Sequence, residues 1–127
     1  MSLLAKMYTV DEEAALNGKW FTTEAGMRVK VSKLNNPRYK TEVVRLQKPH
    51  LARLRSGDIE LAEQITNEAM SLAILIDWEN EDEDGNQIPY TSELGLEALI
   101  GYPDFREDIA SIAVTRTNFS AQHVAGK

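Results

Sequence analysis

The 127-residue chain carries 14 Lys and Arg against 20 Asp and Glu, for a formal net charge of −6, and 43% of its residues are hydrophobic. This composition is typical of a globular domain, and the negative charge disfavours non-specific binding to nucleic acid or anionic membranes. The absence of cysteine excludes disulfides and thiolate metal sites and favours a cytosolic protein. No apolar run approaches the roughly 18 residues of a membrane span. We expect one domain over residues 1–127, with flexible ends at 1–8 and 120–127.

A short helix and a hairpin are predicted near the N-terminus. Thr9 and Glu12 fit a capping box, which predicts a helix that ends at Asn17-Gly18. Residues 20–23 and 27–34 read as strands, joined by a loop over 24–26. The second strand alternates, with Met27, Val29 and Val31 on one face and Arg28, Lys30 and Ser32 on the other.

The next segment contains a proline-punctuated helical region. Asn36 is expected as the N-cap and Pro37 as the first helical residue. The predicted helix runs to about Gln47, and Pro49 ends or kinks it. One or two further helical turns are expected over residues 50–55.

The longest helical pattern runs from Asp58 to Trp78. Asp58 is the predicted N-cap, and its carboxylate is favoured at the positive helix end. Apolar residues recur at three- and four-residue spacing and form one stripe, made of Leu61, Ile65, Ala69, Leu72 and Ile76. A helix of this kind is expected at the centre of the domain, followed by an acidic turn over residues 79–90.

Two helices are predicted after the acidic turn. Ser92 is the expected cap of a short helix to Ile100, and Asp104 is the expected cap of a helix from Phe105 to about Asn118. Together these elements predict a helix-dominated α+β fold, in which a small N-terminal β-hairpin packs on about four to five helices.

The acidic turn has half of the pattern of a calcium-binding loop. Asn80, Asp82 and Asp84 occupy its first, third and fifth positions when Gly85 stands at the sixth. The twelfth position, which requires a bidentate Glu, is Thr91. We therefore interpret the segment as a solvated turn and predict no metal ligands, with a small calcium-binding module as an alternative.

Catalytic patterns are missing from the sequence. His50 and His123 have no partner at metal-ligand spacing, and the chain contains neither a Gly-rich phosphate loop nor a nucleophile elbow. We expect a non-enzymatic protein without catalytic residues or a cofactor.

A basic segment stands out in this acidic chain. Residues 38–55 hold one acidic residue, Glu42, among six basic ones, which are Arg38, Lys40, Arg45, Lys48, Arg53 and Arg55. We interpret the segment as a partner of the acidic turn, in the same chain or in a neighbouring copy, because such asymmetry suits head-to-tail association. Solvated faces without a partner and a nucleic-acid-binding face are the alternatives.

An ordered set of motifs resembles one protein family. The set comprises Gly18-Lys-Trp20, Gly26-Met-Arg-Val-Lys-Val31, Asn36-Pro-Arg-Tyr39, Ile76-Asp-Trp-Glu79, Asp82-Glu-Asp-Gly-Asn-Gln-Ile-Pro-Tyr-Thr-Ser92 and Asn118-Phe119. Between Lys19 and Phe119 the chain resembles the tail assembly chaperones of long-tailed bacteriophages with non-contractile tails.

The resemblance implies a phage or prophage protein that acts in the cytoplasm of the host bacterium and is absent from the finished virion. Its implied partners are the tape-measure protein and the tail-tube protein, and we expect a homo-oligomer. Candidate partner-binding residues are Arg45, Lys48, Arg53 and Arg55 on the basic side and Asp82, Glu83 and Asp84 on the acidic side. The alternative within phage biology is another tail morphogenesis protein, for tail completion or head–tail joining.

Overall fold

The computed structural model describes residues 2–121, which form helices around a small antiparallel sheet. The α-helices are α1 (Leu3–Tyr8), α2 (Glu12–Asn17), α3 (Pro37–Gln47), α4 (Leu51–Arg55), α5 (Ile59–Ala73), α6 (Ser92–Gly101) and α7 (Pro103–Val114). The strands are β1 (Lys19–Thr22), β2 (Arg28–Val31) and β3 (Leu75–Trp78). Short 3₁₀ turns cover Lys48–His50 and Arg116–Phe119. The predicted helix-dominated α+β class is confirmed. Within residues 2–121, no helix is long and apolar enough to cross a membrane.

The predicted hairpin is present and forms two of the three strands. β1 and β2 pair antiparallel, and at the turn the Thr23 amide donates to the Met27 carbonyl at 2.8 Å. β2 is the central strand of the order β1-β2-β3. The inward residues Val29 and Val31 are fully buried, as the alternating pattern predicted. The strand ends at Val31 and not at Leu34.

The prediction of one helix from Asp58 to Trp78 is wrong beyond Ala73. The backbone leaves the helix at Ile74 (φ −116°), and Leu75–Trp78 becomes β3, paired antiparallel with β2. A short apolar run fits a buried strand and a buried helix equally well. The β-branched and aromatic residues of this run suit the open edge of β2.

A buried polar network fixes this change of direction. The Ser32 hydroxyl donates to the Ala73 carbonyl at 2.5 Å, and the Asn36 side-chain amide donates to the same carbonyl at 3.1 Å and to the Lys33 carbonyl at 2.8 Å. The last carbonyls of a helix lack partners within it. Ser32 and Asn36 supply these partners and so stabilise the end of α5. Ser32, predicted beside Arg28 and Lys30 on the polar face of the strand, is fully buried.

Two predicted helix starts in the first half are confirmed. Asn36 caps α3, with its Oδ1 accepting from the Tyr39 amide at 2.9 Å, and Pro37 is the first helical residue. Asp58 caps α5 by accepting from the Leu61 amide at 3.0 Å.

Three other caps differ from the prediction. Asp11, and not Thr9, caps α2 by accepting from the Ala14 amide at 3.2 Å. Thr91, and not Ser92, caps α6. α7 begins at Pro103 rather than after an Asp104 cap, because proline is well suited to the first helical position. α7 also ends at Val114, four residues before the predicted end, and a 3₁₀ turn follows.

The two ends of the described chain lie side by side. The Asp11 amide donates to the Phe119 carbonyl at 2.9 Å, and the Ala121 amide donates to the Thr9 carbonyl at 3.1 Å. Phe119 is 1% exposed and packs edge-on against Phe21. Of the two ends expected to be flexible, α1 forms a helix without buried residues. Residues 122–127, including His123, lie outside the described residues.

The main core lies between the sheet and the helices α5, α6 and α7. α5 packs against α3 and α6, and its predicted stripe is buried at Leu61, Ile65 and Ala69. The central core residues are Val29, Val31, Met70, Ile74, Leu75, Trp78, Leu99, Ile109 and Ala113. α5 is therefore central, as predicted, although it is shorter.

Asn36→Ala tests the buried network. The change removes the α3 cap and one of the two side-chain donors to the Ala73 carbonyl, so the free energy of unfolding should fall by about 2–3 kcal/mol in urea denaturation. Thr41→Ala, at an exposed position of the same helix, is the control and should change it by less than about 0.5 kcal/mol. Equal effects of the two substitutions would contradict the role given to the network.

Candidate interaction surfaces

Residues 79–90 form a compact arm, here called the acidic arm. At its base the Ile88 amide donates to the Asn80 carbonyl, and nearer the tip the Asp82 amide donates to the Asn86 carbonyl, both at 2.9 Å. The Asp82 carboxylate accepts from the amides of Asp84 and Asn86, each at 2.9 Å. The hydrogen bond from the Asn86 backbone amide contributes most to the lowered pKa of Asp82. The arm is therefore an ordered turn closed by its own hydrogen bonds.

The internal bonds of the arm also bear on calcium. One carboxylate oxygen of Asp82, the third residue of the half-matched loop, already accepts from two backbone amides. In residues 2–121, no three His, Cys, Asp or Glu side chains are grouped to hold a metal ion. The geometry therefore gives the calcium-binding alternative no support.

Aromatic residues fix the acidic arm to the core. The Trp78 indole nitrogen donates to the Ile88 carbonyl at 2.8 Å, and the Trp78 and Tyr90 rings meet edge-on at 5.0 Å. The Tyr90 hydroxyl donates to the Ser71 carbonyl of α5 at 2.5 Å. Burial, with a smaller contribution from Asp77, raises the pKa of Tyr90 well above its ordinary value, so Tyr90 stays a neutral donor. Both ends of the arm are thus held by the core.

Gly95 lets α6 lie directly on Tyr90. A Cβ atom added at position 95 would lie 2.6 Å from Tyr90 Cε1 and 2.7 Å from Cζ. Any side chain there would displace the ring, so the close contact of α6 with the arm depends on glycine.

An open groove runs between the acidic arm and the corner formed by α6 and α7. Two adjoining cavities of about 410 and 340 Å³ share Trp78, Asn80, Ala98 and Tyr102 as lining residues. We call this the aromatic groove; its further lining residues are Met27, Ile88, Leu94, Glu97, Gly101 and Phe105. Tyr102 is 69% exposed at the groove. The groove offers a mainly apolar surface to a partner.

The predicted basic residues lie on another part of the fold. Arg45, Lys48, Arg53 and Arg55 are all exposed along α3, α4 and the turn between them, together with the apolar Val44 and Leu51. We call these six residues the basic surface. It lies on α3 and α4, which contact α5, whereas the aromatic groove is lined by residues of β3, the acidic arm and α6.

Two basic side chains are paired locally. Arg45 contacts Glu42 at 2.6 Å, and Arg53 contacts Asp58 at 2.7 Å. Hydrogen bonds lower the pKa of Asp58; the largest contribution comes from the Leu61 amide and the next from the Arg53 side chain. Within residues 2–121 no ion pair joins the basic surface to the acidic arm. The structure therefore does not bring the two predicted sets of partner-binding residues together in one chain.

The sequence pattern alone does not predict the aromatic groove. The sequence predicts no binding role for Leu94 or Tyr102, and it gives Phe105 as the expected first residue of the last helix. One signal was present: every charged residue between Ser56 and Phe105 is acidic. That run supplies β3, the arm and α6, so the acidic character extends well beyond the predicted tip.

The chain belongs to a prophage family. A model described as YdaY prophage protein matches residues 34–126, which is most of the chain. The chain is therefore a member of the YdaY prophage protein family. No curated protein and no solved structure matches it. The match supports the prophage class that the motifs implied, and it does not specify a role in tail assembly.

Gly95→Ala tests the packing of α6 on the acidic arm. Alanine normally stabilises a helix relative to glycine by about 1 kcal/mol. Here the added methyl overlaps Tyr90, so the free energy of unfolding should fall by about 1–3 kcal/mol. Gly101→Ala in the same helix has open space around it and should be neutral or stabilising. If both variants unfolded at the same urea concentration as the wild type, the close contact would be refuted.

Proposed function

We propose that this prophage protein is a non-enzymatic tail assembly chaperone that binds the tape-measure protein and assists tail-tube assembly in the host cytoplasm. The aromatic groove carries the proposal. A chaperone for a long helical client needs an exposed apolar surface that covers the client until assembly. The motif resemblance and the prophage family support the same role.

The mainly apolar lining of the groove suits the apolar face of a helix. Amphipathic helices bind in hydrophobic grooves through apolar residues spaced at three and four positions. Trp78, Leu94, Ala98 and Tyr102 provide contacts of this kind, and Tyr102 is exposed enough to pack against an incoming side chain. Aromatic residues of this type often dominate binding energy at protein interfaces.

Co-expression with the tape-measure protein of the same genome tests the proposal. The client should be soluble and co-purify with the wild-type protein. Tyr102→Ala should weaken the complex about tenfold, because it removes an exposed aromatic contact. Tyr8→Ala on α1, another exposed tyrosine, is the matched control and should retain the client.

Two outcomes would overturn the proposal. A client that aggregates with or without the protein would exclude the chaperone role. Detection of the protein in purified virions would favour the alternative of a tail-completion or head–tail joining protein.

We further propose that copies of the chain associate head to tail, with the basic surface of one copy against the tip of the acidic arm of the next. Within residues 2–121 no ion pair joins these two sets, and Lys48 and Arg55 on one side and Glu83 and Asp84 on the other are exposed to a neighbouring copy. Contact between different surfaces generates rings or open helical assemblies. Asp82, Glu83 and Asp84 would face Lys48 and Arg55 in this contact.

Charge reversal tests the self-association. Lys48→Glu with Arg55→Glu should shift the protein towards monomer in sedimentation velocity at low salt, because like charges would then meet at the contact. Mixing this variant with Glu83→Lys and Asp84→Lys should restore assembly by exchanging the charges. A wild-type protein that stays monomeric at low salt would contradict the proposal.

A further inference from the structure

The α6 side of the aromatic groove combines an apolar stripe with an acidic one. Leu94 and Ala98 are half-buried and line the groove, while Leu99 of the same helix is fully buried in the core. Glu93 and Glu97, one turn apart, immediately precede the two groove residues and are exposed. A helix surface of this kind matches a partner that has apolar and basic stripes side by side.

Positive charge is directed away from the aromatic groove. The lining elements β3, acidic arm and α6 lie within the run whose charged residues are all acidic. On α7, the Arg106 guanidinium donates to the side-chain oxygen of Asn67 on α5 at 2.5 Å. Both residues line a separate cavity, not the aromatic groove. On β2, the Arg28 guanidinium lies 5.6 Å from the centre of the Trp20 ring. The charged side chains that β3, the arm and α6 contribute around the groove are therefore acidic.

We infer that the aromatic groove takes a basic amphipathic helix, whose apolar stripe covers Trp78, Leu94 and Ala98 and whose Lys and Arg side chains lie over Glu93 and Glu97. The inference rests on the proposed function, because this helix would be a segment of the client. Tyr102 adds a face on which a cation can stack. The charge complementarity would select a basic segment of the client, whereas the apolar lining supplies the affinity.

Synthetic peptides test the inference. Three 18-residue helical peptides share the same apolar face. Beside that face the basic peptide carries Lys and Arg, the neutral peptide carries Gln, and the acidic peptide carries Glu. Binding of each peptide to the full chain is measured by fluorescence anisotropy at two salt concentrations. We expect the basic peptide to bind about tenfold more tightly than the neutral one at low salt, with the difference shrinking as salt rises. The acidic peptide should bind most weakly.

Matched charge reversals locate the site. Glu93→Lys with Glu97→Lys should weaken the basic peptide about three- to tenfold, since two exposed ion pairs become repulsive. Glu12→Lys with Glu13→Lys makes the same change in net charge in the first turn of α2 and should alter binding less than twofold. Equal effects of the two pairs, or equal binding of the three peptides, would overturn the inference.

The outcomes separate the inference from the proposed function. If the tape-measure protein is solubilised but the peptides show no charge preference, the function stands and the inference fails. If the basic peptide binds at the groove but the tape-measure protein still aggregates, the function fails and the groove assignment stands. If Tyr102→Ala abolishes self-association and no peptide binds, a second copy occupies the groove and the inference is refuted.

Discussion

The fold depends on the hydrogen bonds that one carbonyl group, that of Ala73, accepts. Two buried side chains, Ser32 and Asn36, donate to it, and the Ser32 amide donates to the next carbonyl, that of Ile74. These bonds satisfy the end of α5 where the helix itself supplies no partners. The chain then pairs with β2 as β3, which places Trp78 in the main core, where it also lines the aromatic groove.

The position of Trp78 in turn determines the acidic arm and the groove. Trp78 and Tyr90 hold the two ends of the arm, and Gly95 allows α6 to close over Tyr90. The same indole forms part of the groove wall. The proposed binding surface is therefore built on the junction of β3, arm and α6, where these contacts fix its side chains, and such preorganisation reduces the ordering cost of binding.

Much of the fold was predictable because its signals are local. The caps at Asn36 and Asp58 depend on residues within one helical turn, and the β1–β2 hairpin depends on alternation and a short loop. The end of α5 was not predictable in this way, because its main stabilising donor, Ser32, lies 41 residues earlier. Thr91 and Ser92 are adjacent hydroxyl residues, so the sequence pattern alone does not distinguish them as caps. The aromatic groove arises only when β3 and α6 meet. By contrast, the prophage class was accessible from the motifs, while the chaperone role remains a proposal.

Hydrogen–deuterium exchange on the complex with the tape-measure protein would test the central claim most directly. In the proposed complex the client lies between the acidic arm and the α6–α7 corner. Client binding should therefore slow exchange in residues 78–90 and 92–105 and leave α1 and α2 unchanged. Protection confined to α1, α2 or the basic surface, with unchanged exchange along α6, would contradict the account.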